Sequence, residues 1–129
     1  MKIVADTNAF LAVALGEPER GWIVRETAGC DLVAPEVLPF EIGNALTAML
    51  KKGSLSPGEI PEVWNTVQAI PVDLRVLDMP AALALAVRHG VYAYDAYFLE
   101  CALSLRLPLL TLDRGMKHVA RNLGIPIVE

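Results

Sequence analysis

The stretch Lys2-Ile3-Val4-Ala5-Asp6-Thr7-Asn8-Ala9-Phe10-Leu11 decides how the rest of the chain is read. Its first four residues have the short apolar character of a buried strand, and Asp6-Thr7-Asn8 breaks that strand with three polar side chains. From Asn8 the apolar residues return in a helical pattern that Gly16 stops, which predicts a helix over Asn8 to Leu15. A carboxylate therefore stands where a strand hands over to a helix.

The same alternation recurs along the chain. Strands are expected at Lys2–Ala5, Asp31–Ala34, Ile70–Asp73, Leu107–Leu112 and Ile125–Val128. Helices are expected between them: Glu17 to Ala28 with Pro18 in its first turn, Pro35 to Lys52 with its start drawn toward Leu38 by Pro39, and Asp78 to His89. Tyr94 to Leu105 and Asp113 to Leu123 complete the set, and Ser56-Pro57-Gly58-Glu59 has the form of a capping box opening a helix that runs to about Ala69. Strands alternating with helices predict an α/β fold, a mostly parallel sheet of four to five strands flanked by helices on both faces. At 129 residues, without repeats or linkers, the chain is expected to form one domain spanning 1–129.

Composition narrows the function classes. Apolar residues make up 54% of the chain and its mean hydropathy is +0.44, more than the interior of a small domain absorbs, so part of that surface is expected to cover a partner. No apolar run approaches the roughly 20 residues a bilayer span requires. The N-terminus lacks the apolar core of a signal peptide, which predicts a cytoplasmic protein without a membrane association. Cys30 and Cys101 lack the spacing of a zinc site and are expected to be reduced. The net charge of −4 argues against a nucleic-acid partner, unless part of it is gathered in one place where a cation neutralises it.

Four acidic residues could do that. Asp6 ends the first strand and Asp113, in Thr111-Leu112-Asp113, ends the fourth; in an open parallel sheet, ligands bind outside the carboxyl ends of the strands where strand order reverses. Helix capping accounts for either aspartate taken singly. Glu41, in Pro39-Phe40-Glu41-Ile42, and Asp95, in Tyr94-Asp95-Ala96-Tyr97-Phe98, lie among apolar residues, where an unpaired carboxylate costs several kcal/mol. Glu41 could instead be a partly exposed helix residue, and Asp95 a first-turn residue favoured by the helix dipole. Four carboxylates in one pocket would raise each other's pKa values, and a hard divalent cation resolves the conflict; an all-oxygen donor set selects Mg²⁺ or Mn²⁺ and implies phosphodiester hydrolysis.

Asp6-Thr7-Asn8 after the first strand, a helix bearing Glu41 with Asn44 one turn on, Tyr94-Asp95-Ala96 opening an apolar helix, and Thr111-Leu112-Asp113 after the fourth strand together resemble the PIN domain, over essentially the whole chain. More narrowly, the length resembles the VapC-type ribonuclease toxins of type II toxin–antitoxin pairs. The resemblance implies a PIN-like α/β/α sandwich in which Asp6, Glu41, Asp95 and Asp113 form a catalytic, metal-binding quartet for Mg²⁺ or Mn²⁺. Asn8 and Thr111 would orient carboxylates or waters beside it. It further implies hydrolysis of RNA to a 5′-phosphate and a 3′-hydroxyl, a homodimer, and a cognate VapB-type antitoxin.

Beyond the quartet, Arg114, Lys117 and Arg121, with His118, recur at helical spacing directly after Asp113 and are expected to track the RNA backbone, although a solvated helix face has the same pattern. No histidine adjoins the four motifs, which disfavours a metal-independent base. Trp22, Trp64, Phe10 and the Pro35–Leu50 helix are candidate contact surfaces for protein partners. An alternative is a PIN-like RNA-binding or scaffold module without nuclease activity. A phosphoacceptor or nucleotide-binding domain is disfavoured, because no GxxxxGK[ST] or GxGxxG follows the first strand.

Overall fold

Strand β1 (Lys2–Ala5) lies between β2 (Asp31–Pro35) and β4 (Leu109–Leu110), and β3 (Asp73–Arg75) flanks β2, in a computed structural model that describes residues 1–129. All pairings are parallel and the order is β3-β2-β1-β4. The central strands are covered on both faces, which is why they read as continuous apolar runs: Val4, Val33, Leu109 and Leu110 have no exposed surface. The chain steps outward from β1 through β2 to β3, then returns to the opposite side of β1 with β4. That reversal opens a crevice at the carboxyl ends of β1 and β4.

Seven helices flank the sheet: α1 (Thr7–Ala14), α2 (Arg20–Thr27), α3 (Leu38–Lys52), α4 (Glu59–Gln68), α5 (Met79–His89), α6 (Ala93–Leu105) and α7 (Arg114–Asn122). Helix α6 packs on β1 and β2 and is in turn contacted by α5 and α7, while α1 meets α2, α3 and α4. Its buried face, with Phe98 and Leu99 fully covered, joins the 28-residue apolar core. Helix α3 starts at Leu38 with Pro39 in its first turn, and ends at Gly53, whose φ of +80° suits a residue without Cβ.

Several boundaries differ from the sequence expectation for local reasons. The strand expected at Ile70–Asp73 forms instead at Asp73–Arg75: the Ile70 N–H closes the last turn of α4 on Val67 O, and Pro71 has no N–H to give a ladder. The run Leu107–Leu112 contributes only Leu109–Leu110, because the Leu107 N–H bonds back to Ala102 O at the end of α6 and Pro108 lacks a donor. The fifth strand reduces to one bridge between Ile127 and Leu109.

Among the helices, α2 begins at Arg20 rather than Glu17, and α4 at Glu59. Half of the expected capping box is nonetheless made, with the Ser56 N–H donating to Glu59 Oε1 at 2.9 Å. Both cysteines are free thiols; Cys101 is buried, and burial pushes its thiol up to about 11. Phe10 belongs to the core, and Trp22 and Trp64 pack partly buried against it, so none of the three stands free as a docking side chain. No helix is long and apolar enough to cross a membrane.

Candidate active site

The register that pairs Ala5 with Leu110 sets Asp6 and Thr111, the next residue of each chain segment, side by side above the strand ends. Asp6 is 5% exposed and Thr111 fully buried. Both Asp6 oxygens are used: Oδ1 accepts from the Thr7 N–H at 2.8 Å, and Oδ2 accepts from the Thr111 hydroxyl at 2.8 Å. Thr111 Oγ1 in turn accepts from the Asp113 N–H at 3.1 Å and from Asn8 Nδ2 at 3.4 Å, while Asn8 Oδ1 accepts from the Leu112 N–H at 3.2 Å. Asn8 and Thr111 thus tie the start of α1 to the start of α7.

Asp113 caps α7, its Oδ1 accepting from Gly115 N–H at 2.7 Å and Met116 N–H at 3.2 Å. Capping is therefore real for both Asp6 and Asp113, and it fixes each at the mouth of the crevice rather than excluding another role. Glu41 comes from the first turn of α3 and Asp95 from the first turn of α6, both half-buried. Glu41 Oε2 is a buried acceptor without a hydrogen-bond partner, and so is the Thr7 hydroxyl.

Electrostatics bring the four acids into one group. Burial raises the Asp6 carboxyl to about 6; its bonds to Thr111 and Thr7 oppose that rise, and the charges of Asp95 and Asp113 add to it. Burial likewise raises Glu41 to about 7, with the nearby Thr7 hydroxyl opposing and Asp6 and Asp95 adding, although that hydroxyl makes no bond of ordinary geometry. Asp95 is raised by burial and then by Asp113. Each of these three raised carboxyls feels the charge of at least one other acid of the four.

Residues 3–122 match the PIN domain family. The chain belongs to that family. It is 30% identical over 121 residues to the protein named Ribonuclease VapC3 from Pyrobaculum aerophilum, a match covering 90% of this chain and 92% of the relative. Among solved structures, the crystal structure of PAE2754 from the same organism superposes with a TM-score of 0.73 at 23% identity, covering 99% of this chain and 92% of that one. The PilT N-terminus domain protein SSO1118 from Sulfolobus solfataricus gives 0.56 at 15% identity, covering 99% and 86%. These two likenesses concern the fold.

In this PIN domain the donor set at the crevice consists of carboxylate, hydroxyl and amide oxygens, and the unpartnered Glu41 Oε2 is buried within the influence of Asp6 and Asp95. Such a set fits a hard divalent cation. No three acidic, histidine or cysteine side chains close around a single point.

The basic residues of α7 divide. Arg114 is exposed beside Asp113 and Lys117 is half-buried, whereas the Arg121 guanidinium is paired with the Glu129 carboxylate, and His118 faces Asn122. Three further residues share a cleft with Glu41 without having been singled out in the sequence. Thr7, Lys51 and Tyr94 line a cleft of about 530 Å³ with Glu41, Asn44 and Thr47. A threonine directly after the strand-ending aspartate was the only local signal, since Lys51 reads as a dipole-complementing cation at the end of α3.

Proposed function

We propose that this PIN domain is a Mg²⁺- or Mn²⁺-dependent endoribonuclease and the toxin of a VapBC-type toxin–antitoxin pair. The observation that carries the reading is the buried Asp6–Thr111 contact at the reversal point of the sheet, with Asp113, Asp95 and the unpartnered oxygen of Glu41 around it. Similarity to Ribonuclease VapC3 supports RNA as substrate and a VapB-type protein as partner.

In this reading the carboxylates of Asp6, Glu41, Asp95 and Asp113 would hold the metal between them, some directly and the others through its waters, with Asn8 and Thr111 fixing Asp6 and the Asp113 backbone. A divalent ion so bound would lower the pKa of a water and offset phosphate charge. Hydrolysis adds water across the scissile phosphodiester: a P–O bond forms to the water oxygen, the bond to O3′ breaks, and the products are a 5′-phosphate and a 3′-hydroxyl. The buried Asp6 has little freedom to move, which suits a rigid mount for such a centre.

A homodimer fits the apolar face left open on α5. Met79, Leu83 and Val87 recur four residues apart, each exposed, and Val76 precedes them with 87% of its surface open. An apolar cleft of about 280 Å³ lined by Val13, Val24, Leu32, Ile70 and Pro71 offers a second surface for an apolar segment of the antitoxin.

The test is cleavage of a labelled total-RNA pool by the wild-type protein and Asp6→Asn, with Mg²⁺, with Mn²⁺ and with EDTA. Metal-dependent cutting that disappears in the variant is the expected result. A wild-type protein that neither cuts RNA nor binds either metal by calorimetry would return the chain to the alternative, an RNA-binding or scaffold module.

A further inference from the structure

The cleft along α3 leads away from the acids on a single helix face. Glu41, Asn44, Ala48 and Lys51 follow one another at spacings of three and four residues, and the rise of an α-helix sets Lys51 about 15 Å beyond Glu41. The polar groups along this face are free to bind something. The two salt bridges of the chain join Arg75 to Asp73 and Arg121 to Glu129, so the Lys51 ammonium has no carboxylate partner. Asn44 is exposed and makes no side-chain hydrogen bond within the chain. Thr47, by contrast, turns its hydroxyl back to Gly43 O and Asn44 O.

The opposite wall is aromatic. Tyr94, 38% exposed, lines the cleft next to Asp95, and Tyr97 meets it edge to face with ring centroids 5.7 Å apart. That contact braces the Tyr94 ring and leaves part of it open. A partly exposed aromatic ring in the cleft that Glu41 lines and a free cation further along are the two elements of a single-strand nucleic-acid groove: bases stack on the ring, and the ammonium takes a phosphate.

Resting on the ribonuclease reading above, we propose that the α3 cleft is a subsite for unpaired RNA, in which Tyr94 stacks a base next to the scissile phosphate and Lys51 binds a phosphate further along the same strand. The subsite selects single strands, because a base held in a duplex has no free face to lay on the ring. It lies on α3 and α6, apart from the basic residues of α7, so RNA on either side of the cut would meet different walls.

The experiment is fluorescence anisotropy with a 5′-fluorescein oligouridylate and with a labelled RNA duplex, over a range of salt concentrations, with Ca²⁺ in place of Mg²⁺. The proteins are wild type, Tyr94→Leu, Tyr94→Phe, Lys51→Ala and Lys52→Ala, and wild-type cleavage of total RNA in Mg²⁺ is measured in parallel. Tyr94→Leu should weaken single-strand binding on the order of tenfold, while Tyr94→Phe, which keeps the ring, stays within about twofold of wild type. Lys51→Ala should lower the slope of log K against log salt by about 0.7, one single-strand phosphate contact, and Lys52→Ala should leave it unchanged.

Equal behaviour of the two Tyr94 variants, an unchanged slope in Lys51→Ala, or wild-type preference for the duplex overturns the subsite. If wild type cleaves in Mg²⁺ but the variants bind as it does, the subsite fails and the nuclease reading stands. If the binding pattern holds without any cleavage, the nuclease reading fails and the cleft stands as an RNA-binding surface. Absence of oligouridylate binding by wild type overturns the subsite outright.

Discussion

The Thr111 hydroxyl donates to Asp6 Oδ2 at 2.8 Å across 105 residues of sequence, and Thr111 Oγ1 itself accepts from the Asp113 N–H at 3.1 Å. One small side chain thereby sets the distance between the carboxyl ends of β1 and β4. Its burial makes it unable to exchange that role with water.

Thr111→Val, nearly isosteric, should leave an Asp6 oxygen and the Asp113 N–H without their shared partner. A buried polar group stripped of its bond costs about 1–3 kcal/mol, which urea unfolding at pH 7 would register. RNA cleavage should fall with it, and Thr111→Ser should restore most of both. Equal stability of the valine variant and the wild type would mean the contact contributes little.

Glu41→Gln gives a pH test of the acid cluster in the metal-free protein. The folded chain holds the Glu41 proton up to about 7 and the Asp6 proton up to about 6, against ordinary values of 4.5 and 3.8. The native state therefore binds more protons than the unfolded chain in this window. The contribution of these groups is fully present below the ordinary values of 3.8 and 4.5 and is lost as pH rises through about 7. Thermal melts in EDTA should find Glu41→Gln close to wild type near pH 4 and progressively more stable than it up to pH 8. Adding Mg²⁺ at pH 8 should raise the wild-type midpoint more than that of the variant, and parallel pH profiles would contradict the buried position of Glu41.

Thr7→Val removes a hydroxyl that is buried without a partner beside the unpartnered oxygen of Glu41. The metal-free fold should lose no stability, since no hydrogen bond is broken. Magnesium affinity by calorimetry should fall, and Thr7→Ser should retain it. A valine variant with unchanged metal affinity would leave the hydroxyl as packing.

The α7 cations should be unequal. Alanine at Arg114 and Lys117 together should lower the salt dependence of RNA cleavage, because a lost phosphate contact releases fewer counterions. Arg121→Ala should have the smaller effect, its guanidinium being engaged by Glu129. An unchanged salt dependence in the double variant would mark α7 as a solvated face.

By itself the sequence determined the alternation of strand and helix, because apolar runs and periodicity are local properties, and it marked two acids at strand ends, Asp6 and Asp113, and two set among apolar residues, Glu41 and Asp95. Asp6-Thr7-Asn8 and Thr111-Leu112-Asp113 were legible for that reason: each interrupts an apolar strand at its end. Strand limits were less legible at Ile70–Asp73 and Leu107–Leu112, where Pro71 and Pro108 remove donors and the preceding N–H groups close helices instead. Only the tertiary structure decided that β4 lies beside β1, so that Asp6 meets Thr111. Only it stranded Glu41 Oε2 and the Thr7 hydroxyl without partners, and assembled a cleft from α3 and the start of α6. Those properties depend on which distant surfaces exclude water together, and local residue order does not contain that information.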